Sequence, residues 1–233
     1  MATTKFQRRA ILTILIVTVV GTIGSFAVMV LASKNSATAA AEYQAASNKY
    51  QTEYAAYQVL TDVQTSELSD KYYATFSPYA SQVGTFDRDT VTDLVVTDLV
   101  VGDGEEITGT TVFAAYYIGW NPKGKIFDQS IDTSTNKLKA PLAVSNGLDN
   151  ASLIDGWKEG MKGMKIGGIR ELTIPSSKAY KDVAQSDDIP ANTPLKFIVM
   201  AITAPEAIAQ PQSLIDAQNE YMKAYEAYYG SSS

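Results

Sequence analysis

The sequence contains no cysteine and no histidine among its 233 residues. Without cysteine, disulfides, thiolate metal sites, a thiol nucleophile and a cysteine-linked lipid anchor are all excluded. Without histidine, Ser-His-Asp and Cys-His catalysis fall away, together with most transition-metal sites. Basic residues are outnumbered, 19 Lys and Arg against 25 Asp and Glu, giving a net charge of −6 and a pI near 4.7. No basic stripe is available to release counterions from a phosphate backbone, so nucleic acid is not an expected partner. Any chemistry must come from carboxylates, lysines, phenols, hydroxyls or shape. No metal or cofactor is expected.

What the chain does have, near its start, is "AILTILIVTVVGTIGSFAVMVLA", Ala10 to Ala32, a run without a single charge. As a helix it would extend roughly 34 Å, enough to cross a hydrocarbon core of about 30 Å. Lys5, Arg8 and Arg9 precede it and only Lys34 follows closely, which places residues 1–9 in the cytoplasm and the rest outside. A cleaved signal peptide is the competing reading, with "ATA" at Ala37–Ala39 as a cleavage site. The apolar run exceeds the roughly 7–15 residues of a signal core, so residues 10–32 are expected to be a single-pass anchor in the cell membrane.

Two Tyr-rich segments flank the middle of the chain. Residues 36–80, rich in Ala, Gln and Glu, are expected to form a helical stalk. Tyr43, Ala46, Tyr50, Tyr57 and Leu60 fall on heptad-like positions, interrupted by Glu53. Residues 211–230 read as a second helix, with Pro211 and Ser213 at its start, Gly230 at its end, and Leu214, Tyr221, Tyr225 and Tyr228 along one face. Of the 14 tyrosines, only Tyr116, Tyr117 and Tyr180 lie between these flanks. The economical expectation is that the C-terminal helix packs on the stalk through Tyr and Ala. A self-associating coiled coil and a Tyr stripe for another partner are the alternatives.

Residues 85–204 change character. Alternations such as "LVVTDLVV", "TTVFAAYYIG", "IRELTIP" and "LKFIVMAI" read as strands, separated by turn signals such as "GDGEE", "NPKGK" and "SNGLDN". One helical pattern falls among them. Ile154, Trp157, Met161 and Met164 recur at i, i+3, i+7 and i+10, with Gly167 and Gly168 expected to end the helix. Many antiparallel-type strands around one short helix make an α+β domain whose sheet packs its apolar face on that helix. On such a helix Trp157 is either an ordinary core residue or the floor of an apolar pocket.

Five motifs, in order, decide between these: "YYIG", "GKIFDQS", "LIDGWKEGMKGMKIGG", "LTIPSSKAY" and "IPANTPLKF". Together they resemble the FKBP-type peptidyl-prolyl cis-trans isomerases, over about Val95 to Ile202. The resemblance implies an antiparallel half-barrel sheet wrapped around the short helix, with an apolar pocket between them. It implies that Trp157 is the pocket floor, that Tyr117, Phe127 and Phe197 are its aromatic walls, and that Leu153 and Ile154 line the rim. It further implies that the Ile154 N–H and the Tyr180 hydroxyl bind peptide carbonyls, with Asp128 as a polar group beside the pocket. The implied substrates are proline-containing polypeptides, and the implied activity is cis-trans isomerisation during folding outside the membrane. A non-catalytic FKBP-like chaperone or scaffold tethered to the membrane is the alternative.

That activity suits a chain without His or Cys. Peptide rotation faces a barrier of about 18–20 kcal/mol and breaks no bond, so neither nucleophile nor metal is required. Two departures from the family pattern stand out. Lys181 follows the Ala-Tyr pair where the family usually has Gly, so a positive φ there would be strained. Leu142 replaces a common pocket aromatic, giving a smaller wall. Both weigh against macrolide binding more than against proline binding.

Overall fold

The computed structural model of the chain describes residues 34–230. The expected membrane span, residues 10–32, lies outside this range. Among the described residues no helix is long and apolar enough to cross a membrane. The described residues form two compact units, one of residues 34–64 and 207–230, the other Thr65–Glu206. Helix α1 is Lys34–Phe76, and its sequence contains neither Gly nor Pro to interrupt it.

The Thr65–Glu206 unit is built on a six-stranded antiparallel sheet. Its strands are β1 (Val95–Val100), β2 (Phe113–Trp120), β3 (Ile126–Gln129), β6 (Leu142–Val144), β7 (Ile169–Ile174) and β8 (Leu195–Thr203). They lie in the order β1-β7-β8-β2-β3, and β6 shares the outer edge of β2 with β3. Two short strands, β4 (Ile131–Asp132) and β5 (Lys137–Leu138), form a separate hairpin. Strands β2 and β8 are apolar nearly throughout because both faces of the sheet are covered. On one face, Phe113 and Ala115 of β2 and Phe197, Val199 and Ala201 of β8 pack with Trp157 and Met161. On the other, Tyr116, Ile118, Trp120, Ile198 and Met200 pack with Phe76 at the end of α1. The sequence pattern predicts a single helical cover for this sheet and a domain that begins at Thr85. The structure adds the last turns of α1 as a second cover, and the compact unit begins at Thr65.

The short helix α2 (Asp155–Met161) ends earlier than its spacing predicts. Lys162 is extended and Gly163 takes φ +76°, so the chain leaves the helix there and not at Gly167 and Gly168. Met164 is therefore off the helix. It reaches the same core from a turn, where its carbonyl accepts the Ile107 N–H at 2.7 Å. Seven residues are too few to hold a helix alone, so α2 depends on its packing against β7. That packing is close: a Cβ on Gly156 would lie 2.3 Å from Ile174 Cγ2, and one on Gly160 2.7 Å from Leu172 Cδ2.

In the other unit, α3 (Gln212–Tyr229) follows Pro211 and meets the first turns of α1 through aromatic rings. Tyr43 stacks on Tyr228 at 5.4 Å and Tyr50 on Tyr221 at 5.5 Å. Lys49 pairs with Glu220 at 2.7 Å, and the Tyr57 hydroxyl donates to the Ile208 carbonyl. A hydrogen bond with Tyr221, then burial, pushes the Tyr43 phenol up to about 12. Leu60 departs from its expected seam position, being 49% exposed.

Candidate functional site

The sheet, α2 and the segment after β7 enclose a cavity of about 340 Å³. Four strands deliver one or two side chains each to it. Tyr117 comes from the middle of β2, Phe127 and Asp128 from β3, Leu142 from β6 and Phe197 from β8. Trp157 rises from the first turn of α2, Leu153 and Ile154 precede that helix, and Tyr180 follows β7. All nine residues singled out in the sequence line this one cavity. Ser152 joins them; its sequence signal was only its place beside Leu153.

The floor is an edge-to-face aromatic cluster. Trp157 meets Phe197 at 5.5 Å and 85°, and Tyr117 meets Trp157 at 5.6 Å and 86°. Phe127 meets Phe197 at 5.6 Å and 82°. Such T-shaped contacts set each ring edge against a neighbour's electron-rich face and fix ring orientation. Gly119 makes the arrangement possible, since a Cβ there would lie 2.6 Å from Phe197 and 2.8 Å from Phe127. Trp157 and Phe197 are buried, whereas Tyr117 and Phe127 are half-buried and face the opening.

The polar groups sit at the rim. The Tyr117 hydroxyl donates to Asp128 Oδ2, while Asp128 Oδ1 accepts the Gln129 N–H at 2.8 Å. Burial, then the bond to Asp128, hold the Tyr117 phenol well above its ordinary range. Burial and the Asp128 charge also raise the Tyr180 phenol. Both phenols therefore stay neutral donors. Ile154 is the N-cap of α2, and its carbonyl accepts the N–H groups of Trp157 and Lys158 at 3.0 and 3.2 Å. No acceptor for its own N–H occurs among the described residues. Lys181, next to Tyr180, does take a positive φ of 57°. Its backbone is held there by bonds to Ser176 and from Asn192.

An apolar aromatic floor, with the Ile154 N–H and the Tyr180 hydroxyl at its rim, has the shape and chemistry to hold an apolar ring without covalent attack. A family model described as FKBP-type peptidyl-prolyl cis-trans isomerase matches residues 104–202. An FK506-binding protein of Neisseria meningitidis serogroup B is 37% identical over 106 residues, covering 46% of this chain and 91% of its own length. A probable FK506-binding protein of Corynebacterium glutamicum is 38% identical over 113 residues, 48% of this chain and 87% of its own. Among solved structures, a peptidyl-prolyl cis-trans isomerase from Pseudomonas syringae pv. tomato is 27% identical with a TM-score of 0.40, covering 59% of this chain and 96% of that one. The chain belongs to the FKBP-type peptidyl-prolyl cis-trans isomerase family.

Proposed function

We propose that this cavity binds X-Pro segments of polypeptides folding outside the membrane, with the proline ring on Trp157 between Tyr117, Phe127 and Phe197. The observation that carries the reading is the pairing of an apolar aromatic floor with two rim donors, the Ile154 N–H and the Tyr180 hydroxyl, for which no acceptor occurs among the described residues. The twisted amide has lost resonance and with it polarity, so an apolar floor favours it over the planar ground state relative to water. The Ile154 N–H and the Tyr180 hydroxyl hold the flanking carbonyls while the bond turns. Asp128 fixes the Tyr117 ring and presents its charge at the rim. FK506, the compound in those relatives' names, would compete for the same floor, with the Leu142 wall weakening its hold.

Residues 10–32 anchor the chain in the cell membrane, with the N-terminus cytoplasmic and the isomerase domain outside. Exchange NMR on a proline tetrapeptide tests the site, using the full chain beside Asp128→Ala and Tyr180→Phe variants. Catalysis reduced roughly tenfold in the variants, equivalent to about 1.4 kcal/mol, supports these roles. Wild-type exchange in both would remove Asp128 and Tyr180 from the mechanism. Peptide binding without accelerated exchange would favour a chaperone or scaffold instead. Resistance to alkaline extraction, with digestion by protease added to intact cells, tests the placement. Extraction into the supernatant would remove the anchor.

A further inference from the structure

Among the described residues, Arg170 is the only charged side chain that is fully buried, 5% exposed on β7. Its Nε and Nη2 donate to the two carboxylate oxygens of Asp98 on β1, at 2.6 and 3.1 Å. Its Nη1 donates to the carbonyls of Gly160 and Lys162, at 2.7 and 3.1 Å. These carbonyls belong to the last turn of α2 and the residue after it, where a helix leaves acceptors unpaired and concentrates partial negative charge. A planar guanidinium can serve a carboxylate on one edge and carbonyls on the other, and lysine cannot reproduce that fork.

Burying an ion pair gives little stability compared with an apolar side chain of similar volume. What an apolar residue could not supply is a fixed position for the end of α2. Gly156 and Gly160 set how closely α2 lies on β7, and Arg170 fixes its far end. Trp157 lies one turn before Gly160, and Ile154 caps the other end of the same two-turn helix. We propose that Arg170, oriented by Asp98, is a positioning residue for isomerisation, setting where Trp157 and the Ile154 N–H stand in the pocket. The inference rests on the pocket reading above.

The full chain with isotope-labelled tryptophan provides the test. Its two indole N–H signals report opposite faces of the sheet: Trp157 lies in the pocket, and Trp120 lies on the other face, bonded to the Gly84 carbonyl at 3.0 Å. Arg170→Lys is expected to move the Trp157 signal and leave that of Trp120. It should lower catalysed exchange about tenfold, chiefly through a higher KM, because the floor touches proline throughout the reaction. Asp98→Asn should act in the same direction with a smaller loss. A lowered Tm with both signals in place and wild-type exchange per folded molecule would overturn the inference. If Arg170→Lys does not fold, Asp98→Asn decides by the same criteria. Trp157→Leu separates the two readings. Wild-type exchange in that variant would sink the pocket reading and the positioning role with it. Lost exchange there, alongside unaffected Arg170→Lys and Asp98→Asn, would leave the pocket standing and remove Arg170 alone.

Discussion

The two faces of the sheet carry nearly the same kinds of side chain. One has Trp157, Tyr117, Phe127 and Phe197; the other has Trp120, Tyr116, Tyr72 and Phe76. On the second face the last turns of α1 close over the rings, leaving Trp120, Tyr116 and Phe76 at most 1% exposed. On the first face α2 is only seven residues long, and an opening remains beside it. Composition does not separate a core from a binding site here; the length of the covering helix does. Phe76, at the end of α1, is held on all sides, whereas Phe127 at the pocket wall is half-buried and lines the cavity.

Phe-to-Ala changes on the two faces should therefore break different things. Phe76→Ala leaves a cavity between the end of α1 and the sheet and is expected to cost about 3–5 kcal/mol in denaturant unfolding, with exchange activity per folded molecule unchanged. Phe127→Ala, at the half-buried wall, should lower prolyl-peptide affinity about tenfold, roughly 1.4 kcal/mol, in a titration. Equal stability losses and equal activity losses in the two variants would erase the distinction between the faces.

Lys181→Gly sharpens the comparison at the rim. The positive φ of Lys181 costs roughly 1 kcal/mol that glycine does not pay, partly offset by glycine's greater freedom when unfolded. A modest rise in the denaturation midpoint is expected, with catalysis retained; a fall would mean that the Lys181–Asp155 ion pair at 3.4 Å outweighs the strain.

The smallest effect belongs to Tyr116. Among the described residues its hydroxyl is buried without a hydrogen-bond partner, so Tyr116→Phe should be neutral or stabilising by about 0.5–1 kcal/mol. Burial, and next the neighbouring Tyr72, push that phenol from its ordinary 10 up to about 12. A raised folded pKa favours the protonated form, so this contribution is complete below about pH 10 and is lost as pH rises toward 12. Denaturation midpoints across that window should fall less steeply in Tyr116→Phe than in the wild type.

Much of the pocket was legible because its residues come in short motifs that each bind a strand or helix start to a side-chain type. Phe127 and Asp128 in "GKIFDQS" arrive together on β3, and Ile154 and Trp157 in "LIDGW" bracket the start of α2. The helix end is not legible in the sequence because Met164 keeps the helical spacing while Gly163 has already turned the chain. The cover over the second face was hidden because Leu68, Tyr72 and Phe76 continue the Tyr and Ala pattern of α1 without a break. The Tyr117–Asp128 bond depends on the pairing of β2 with β3, in which Gly119 faces Asp128, and no sequence period encodes that. Arg170 reads in a strand as one more exposed charge. Only the third dimension brings Asp98 and the end of α2 to it.

The most direct test of the account is a titration of the full chain with a proline tetrapeptide, following the two indole N–H signals. The account predicts that the Trp157 signal shifts with saturation while that of Trp120, closed beneath the other face, stays in place. A Trp157 signal that does not move while the peptide is isomerised would contradict it.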